Sequence, residues 1–225
     1  EVRKIVAEYL QDWLMEPLEK EGGKQAVWRT DPSQAGAGGA LGDIGTHAMN
    51  LLEYVTGDEV LELCADTSTF LPDRILDEDA NILIRLKGGG RGVITISQIA
   101  TGEENGLRLK AYASKGGVMW QQEHPNMMEV YRHGEPKRIY TRASGYLGAQ
   151  ALAGGRVPPG HPEGYLEAFA NIYRGAAEAI RRHQAGSPMK TEEYEFPTVH
   201  DGLRGMKFIQ AAVDSSAGGG VWTRL

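Results

Sequence analysis

Asp43 and His47 stand four residues apart at the head of an apolar helical pattern. That spacing puts a carboxylate and an imidazole on one helical face, within reach of a single bound ligand. The pair has the form of a site: an anionic acceptor beside a ring that donates or accepts. Two other readings of the same residues start from position alone. An Asp in a first helical turn is favoured by the unpaired N–H groups and positive dipole there, so Asp43 also fits a cap, with His47 a half-buried structural residue. With His161, the two would make a carboxylate-plus-two-imidazole metal set.

The elements that must hold this pair are legible around it. Gly38-Gly39-Ala40-Leu41-Gly42 leads into a helix whose stripe is Ile44, Ala48, Leu51, Leu52 and Val55. Gly57, after Thr56, suits the left-handed residue past a last turn. Before the glycines, Ala26 to Pro32 carries Trp28, Arg29 and Asp31. Earlier still, Val2 to Leu10 alternates as a strand does and continues toward Trp13-Leu14.

From Glu59 to Gln122 strand follows strand. Ala80–Leu86 and Gly92–Ile99 flank a Lys87-Gly88-Gly89-Gly90-Arg91 turn, and Leu107–Ala113 and Val118–Gln121 flank Ser114-Lys115-Gly116-Gly117. Shorter strands are expected at Met127–Tyr131 and Arg138–Thr141. These connections are too short for crossover helices, so the sheet is expected to be largely antiparallel, with helices supplied from outside the block. One face is apolar. The other mixes Thr95, Ser97, Arg85, Arg108, Lys110 and Tyr112, and docking against a second copy is expected there.

Residues 142–162 form a long excursion ending in Pro158-Pro159-Gly160-His161-Pro162, and loops of that length usually serve a site. A helix then carries Leu166, Phe169, Ile172, Tyr173, Ala176 and Ile180 on one face. The last helix opens at Thr198-Val199-His200-Asp201, a capping-box spacing, with Leu203, Met206, Ile209 and Val213 as its expected buried stripe. Val221–Leu225 is short enough for one more strand.

The 225 residues are 41% hydrophobic and 24% charged, with a net charge of -6. This is a globular composition, and its acidic balance argues against nucleic-acid or anionic-membrane partners. The single Cys64 lies in an alternating apolar run and makes no intrachain disulfide, which leads us to expect a cytoplasmic protein. No run of about 20 apolar residues offers a membrane span. The G-x-G-x-x-G fingerprint, P-loop, G-x-S-x-G, C-x-x-C and H-E-x-x-H are all missing from the sequence. The first residue is Glu1, and a strand-like run begins at once, as in a piece of a longer polypeptide.

Several segments together resemble the C-terminal domain of the glucose-fructose oxidoreductase / inositol dehydrogenase / MocA family. They are Glu1–Trp13, Trp28-Arg29-x-Asp31, Gly38-Gly39-Ala40-Leu41-x-Asp43-Ile44-Gly45-x-His47, Gly160-His161-Pro162-Glu163-Gly164-Tyr165 and Phe196-Pro197-Thr198-x-x-Asp201-Gly202. The resemblance implies an α+β fold. Its large, mostly antiparallel open-faced sheet carries helices on one side, as in a glyceraldehyde-3-phosphate dehydrogenase-like C-terminal domain. Residues 1–225 would be one substrate-binding and oligomerisation domain, its Rossmann domain absent from this chain and with it the Glu-Lys-Pro lysine.

The resemblance further implies an NAD(P)-dependent oxidoreductase acting on a sugar, inositol or related polyol, inactive without the Rossmann domain that binds most of the NAD or NADP. His47 would be the acid/base, and Asp43 would hold the substrate hydroxyl. Trp28 and Arg29 would lie against the nicotinamide, while His161 and Tyr165 would face the substrate. A homodimer or homotetramer through the open sheet face is implied, with no resident metal. The rival expectations are a non-catalytic assembly or sugar-binding module and a metal-dependent hydrolase or isomerase.

Overall fold

A computed structural model describes residues 1–190 and 193–225. Nine strands form one sheet: β1 (Val2–Leu10), β2 (Val60–Ser68), β3 (Asp79–Leu86), β4 (Arg91–Ser97), β5 (Gly106–Ala113), β6 (Gly116–Gln121), β7 (Met127–Arg132), β8 (Arg138–Thr141) and β9 (Thr223–Arg224). Their spatial order is β8-β7-β6-β5-β1-β4-β3-β2-β9. Every pairing is antiparallel except β1 with β4, where Val6 lies beside Val93 and Tyr9 beside Ile96. The first strand therefore enters the middle of the sheet, between two hairpins that follow it in sequence.

Among the described residues six α-helices accompany the sheet: α1 (Lys24–Arg29), α2 (Pro32–Ala35), α3 (Thr46–Thr56), α4 (Ala149–Ala153), α5 (Tyr165–Gln184) and α6 (Val199–Ala217). A π-helical turn, Leu41–Gly45, runs straight into α3. The strands bury alternate residues, Ile5, Ala7 and Tyr9 on β1 and Ile82, Ile84 and Leu86 on β3, against the side covered by α3 and α6. Leu41, Met49, Leu52 and Phe208 close this core from the helical layer. The opposite face keeps Leu83 52% exposed.

Three details depart from the sequence expectation. The opening strand ends at Leu10, and Trp13-Leu14 lies in the turn beyond it. Helix α6 buries Gly205, Phe208, Ile209, Ala211 and Ala212, whereas Leu203 and Met206 are 56% and 63% exposed. The helix turns its small residues toward the core, with Gly205 backing onto Thr46. Helix α5 forms where its period places it, yet it buries none of its residues, and Leu166 and Tyr173 stay 75% and 71% exposed.

The excursion at 142–164 is ordered from within. Arg142 and Glu163 pair at 2.8 Å with both side chains largely buried, and Glu163 Oε1 also accepts from the backbone N–H of Arg156 and Val157. A second buried pair, Arg74 with Glu78 at 2.8 Å, ties the segment before β3 to the chain after β1, because Arg74 also donates to the Leu14 and Glu16 carbonyls. Breaking either pair would leave a buried charge without a partner.

Candidate active site

The glycine-rich approach to the π turn is set by close contact rather than by flexibility. A Cβ on Gly39 would lie 2.2 Å from the Asp77 carbonyl oxygen, so only glycine fits. The Asp77 carboxylate accepts from the Gly39 and Leu41 N–H groups, each at 2.7 Å, and the Ala40 N–H donates to the Asp77 carbonyl at 2.9 Å. Asp77 therefore caps the helix that carries the pair, and Asp43 is free of that task. Burial pushes the Asp77 carboxyl above its ordinary value, and the two amide bonds oppose this without cancelling it.

Asp43 sits inside the π turn, a local widening found often at functional sites. Its Oδ2 receives Gln98 Nε2 at 2.8 Å and lies 3.0 Å from Arg29 Nε. Arg29 comes from the end of α1, where its guanidinium lies 4.2 Å from the Trp28 ring centroid and 5.7 Å from that of Trp13. His47, one turn beyond Asp43, meets Tyr9 edge to face at 6.0 Å between centroids.

Asp43, Ile44 and His47 line a cavity of about 400 Å³ together with Tyr9, Gln11, Trp13, Gln25 and Arg29. Its floor is the end of β1. Tyr9 donates to Asn105 Oδ1 at 2.7 Å, and Gln11 Nε2 donates to the same oxygen at 3.0 Å. Burial raises the Tyr9 hydroxyl above its ordinary value, partly offset by Gln122 and reinforced by the nearby Asp43 charge. Tyr9 thus stays a neutral donor at physiological pH.

The sequence-predicted residues separate into two groups. Asp43, His47 and Arg29 line one cavity, and Trp28 stacks on Arg29 at its rim. His161 and Tyr165 are not among the residues lining it. His161 is exposed in the ordered excursion, and Tyr165, 75% exposed, packs on Phe169. Both follow β8, whose last residue Thr141 pairs with Met127 at the sheet end where the β6–β7 turn lies. Among the described residues no group of three or more His, Cys, Asp or Glu side chains is placed to hold a metal ion, and Asp43, His47 and His161 do not converge.

Sequence reasoning missed Tyr9, Gln11, Trp13, Gln25 and Gln98. A signal was present for the first three: an apolar alternating strand turns aromatic and polar at every second residue, Tyr9, Gln11 and Trp13, where it leaves the core. Gln98 gave none.

Comparison with known proteins identifies relatives of the same fold. The profile of the GFO/IDH/MocA C-terminal domain matches residues 1–119. The uncharacterised oxidoreductase YfiI of Bacillus subtilis is 30% identical over 200 residues, which are 88% of this chain and 51% of that protein. Among solved structures, the inositol dehydrogenase homologue of Azotobacter vinelandii complexed with NAD+ superposes with a TM-score of 0.95 at 30% identity, covering 100% of this chain and 58% of that one. The same protein complexed with NADH and myo-inositol gives 0.89 at 28%, covering 100% and 57%. An oxidoreductase from Sinorhizobium meliloti gives 0.82 at 42%, covering 99% and 57%. The chain spans about half the length of the curated relative and under three fifths of these solved chains.

Proposed function

The chain belongs to the GFO/IDH/MocA family, and on that premise we propose that it is the substrate-binding and oligomerising half of an NAD(P)-dependent oxidoreductase that acts on a sugar, inositol or related polyol. The observation that carries this reading is the convergence of Asp43 and His47 on one polar cavity, with Asp43 already bound from one side by Arg29 and Gln98. The relatives' complexes with NAD+ and with NADH and myo-inositol support the same class of chemistry.

Asp43 has both of its protein contacts on Oδ2, so Oδ1 is left to accept a substrate hydroxyl. His47 takes the proton from the hydroxyl that is oxidised and returns it in the reverse direction, a role suited to an imidazole. Tyr9 and Gln11 supply hydrogen-bonding groups on the cavity floor. Trp28 and Arg29 fit a planar nicotinamide in kind, an exposed indole face with a guanidinium stacked on it at the cavity rim. A nicotinamide bound there supplies the hydride acceptor or donor, and this chain supplies orientation and the proton. His161 and Tyr165 would join the substrate from the ordered excursion.

The partner domain is a Rossmann domain carrying the dinucleotide, and the exposed apolar stripe of α5 supports a partner of domain size. Without it the 225 residues are expected to be inactive. A homodimer or homotetramer through the open sheet face is supported by the cross-strand register. Leu83, Val93, Val6 and Met119 form an apolar band with Lys110 within it. Charges of both signs flank it, Arg85, Arg91 and Lys4 with Glu62 on one side and Glu8 and Asp66 with Arg108 on the other. No helix of the described residues is long and apolar enough to cross a membrane, and a cytoplasmic setting remains part of the proposal.

The test is turnover by the full-length protein with NAD+ or NADP+ and a panel of inositols and sugars. His47→Ala should lower it by about two orders of magnitude with the fold intact. Unchanged turnover would remove His47 from the mechanism.

A further inference from the structure

Gln98 is 1% exposed and lies one residue past the end of β4. Its backbone is pinned on both sides, with the Gln98 N–H donating to the Glu78 carbonyl at 2.9 Å and its own carbonyl accepting from Leu14 at 3.1 Å. A side chain launched from so fixed a base has one place to go, and its Nε2 meets Asp43 Oδ2 at 2.8 Å. Arg29 Nε reaches the same oxygen at 3.0 Å, but from a half-buried side chain on a six-residue helix. Of the two, only the neutral amide makes a hydrogen bond to Asp43, and it is the fixed one.

We propose that Gln98 is a positioning residue: it locks the Asp43 carboxylate from behind, so that Oδ1 alone faces the cavity and accepts a substrate hydroxyl. The Gln98 amide takes one lone-pair direction of Oδ2 and the Arg29 guanidinium pairs with the same oxygen by charge, so the carboxylate is held through Oδ2. Oδ1 then rejects an approaching carboxylate or carbonyl oxygen and selects a hydroxyl donor at that point of the substrate. This inference rests on the reading of Asp43 as the residue that holds substrate, and it adds the group that orients it.

A double-mutant cycle on kcat/KM in the full-length protein tests it. The substrate is the polyol of the panel that is turned over fastest, with enzyme enough to read the residual rate of Asp43→Asn. Gln98→Leu should lower kcat/KM by about tenfold or more, with the Kd for NAD+ unchanged. Gln98→Glu, equal in shape, should lower it at least as far by setting a like charge against Asp43, and it keeps the test open where Gln98→Leu fails to fold. In an Asp43→Asn background either change should cost less than about twofold, since the group it acts through is gone. An equal loss in both backgrounds, or no loss in the parent, overturns the proposal and leaves Gln98 as packing. If Asp43→Asn itself leaves turnover unchanged, the reading of the site falls first and the role of Gln98 with it.

Discussion

The Asp77 carboxylate accepts the Leu41 N–H at 2.7 Å, across thirty-six residues of sequence, and so caps the helix that carries the site pair. A capping side chain is commonly worth about 1 kcal/mol, and this one serves two amides in a largely buried setting. Asp77→Ala should therefore lower unfolding stability by about 1–3 kcal/mol in urea titrations. Because Leu41 starts the π turn that holds Asp43, the same variant should weaken polyol binding in the full-length protein.

The glycines of the approach are predicted to differ sharply. At Gly39 an added Cβ meets the Asp77 carbonyl oxygen at 2.2 Å and Leu76 Cβ at 2.9 Å, whereas at Gly42 it meets nothing within 4 Å. Gly39→Ala should cost upwards of about 2 kcal/mol, because backbone on two segments must move. Gly42→Ala should be neutral or stabilising by about 0.5–1 kcal/mol, since it removes unfolded-state freedom inside a helix. Matching losses at the two positions would contradict the contact geometry.

Why Gly39 was readable only as loop punctuation bears on the rest of the site. The strands were legible because each alternates between a covered and an open face, and α5 and α6 because they keep a helical period. What the period does not carry is which side meets a partner. On α6 the small Gly205 and Ala212, not Leu203 and Met206, face the core. Asp43 and His47 announced themselves as an i, i+4 pair. Gln98 reaches Asp43 from 55 residues along the chain, Tyr9 reaches His47 from the end of β1, Asp77 holds the turn before them, and β1 pairs with the remote β4; no local spacing encodes such meetings.

On the open face, Leu83 at 52% exposure lies in register with Val93 and, through it, with Val6. Burying that band against a second copy is the expected use of it. Sedimentation velocity should find the chain assembled, and Leu83→Arg with Val6→Asp should shift it toward monomer with its circular dichroism unchanged. An assembly that survives both charges would exclude this face as the interface.

Two carboxylates should give stability opposite dependences on pH. Asp201 accepts from the Thr198 N–H at 2.6 Å and from its hydroxyl at 2.8 Å, and these bonds hold its carboxyl below the ordinary 3.8. Through that range the folded state binds fewer protons than the unfolded one. Its contribution is therefore complete above the ordinary value and is lost as pH falls through the depressed one. Asp77 is the reverse: burial raises its carboxyl, so its contribution is complete below the ordinary value and declines as pH rises through the raised one. In urea titrations across the acid range, the deficit of Asp201→Asn relative to the parent, about 1 kcal/mol at neutral pH, should shrink on acidification. The deficit of Asp77→Asn should instead grow as the pH is lowered. Parallel curves for the two variants would mean that one of these carboxylates titrates in the folded protein as it does in the unfolded chain.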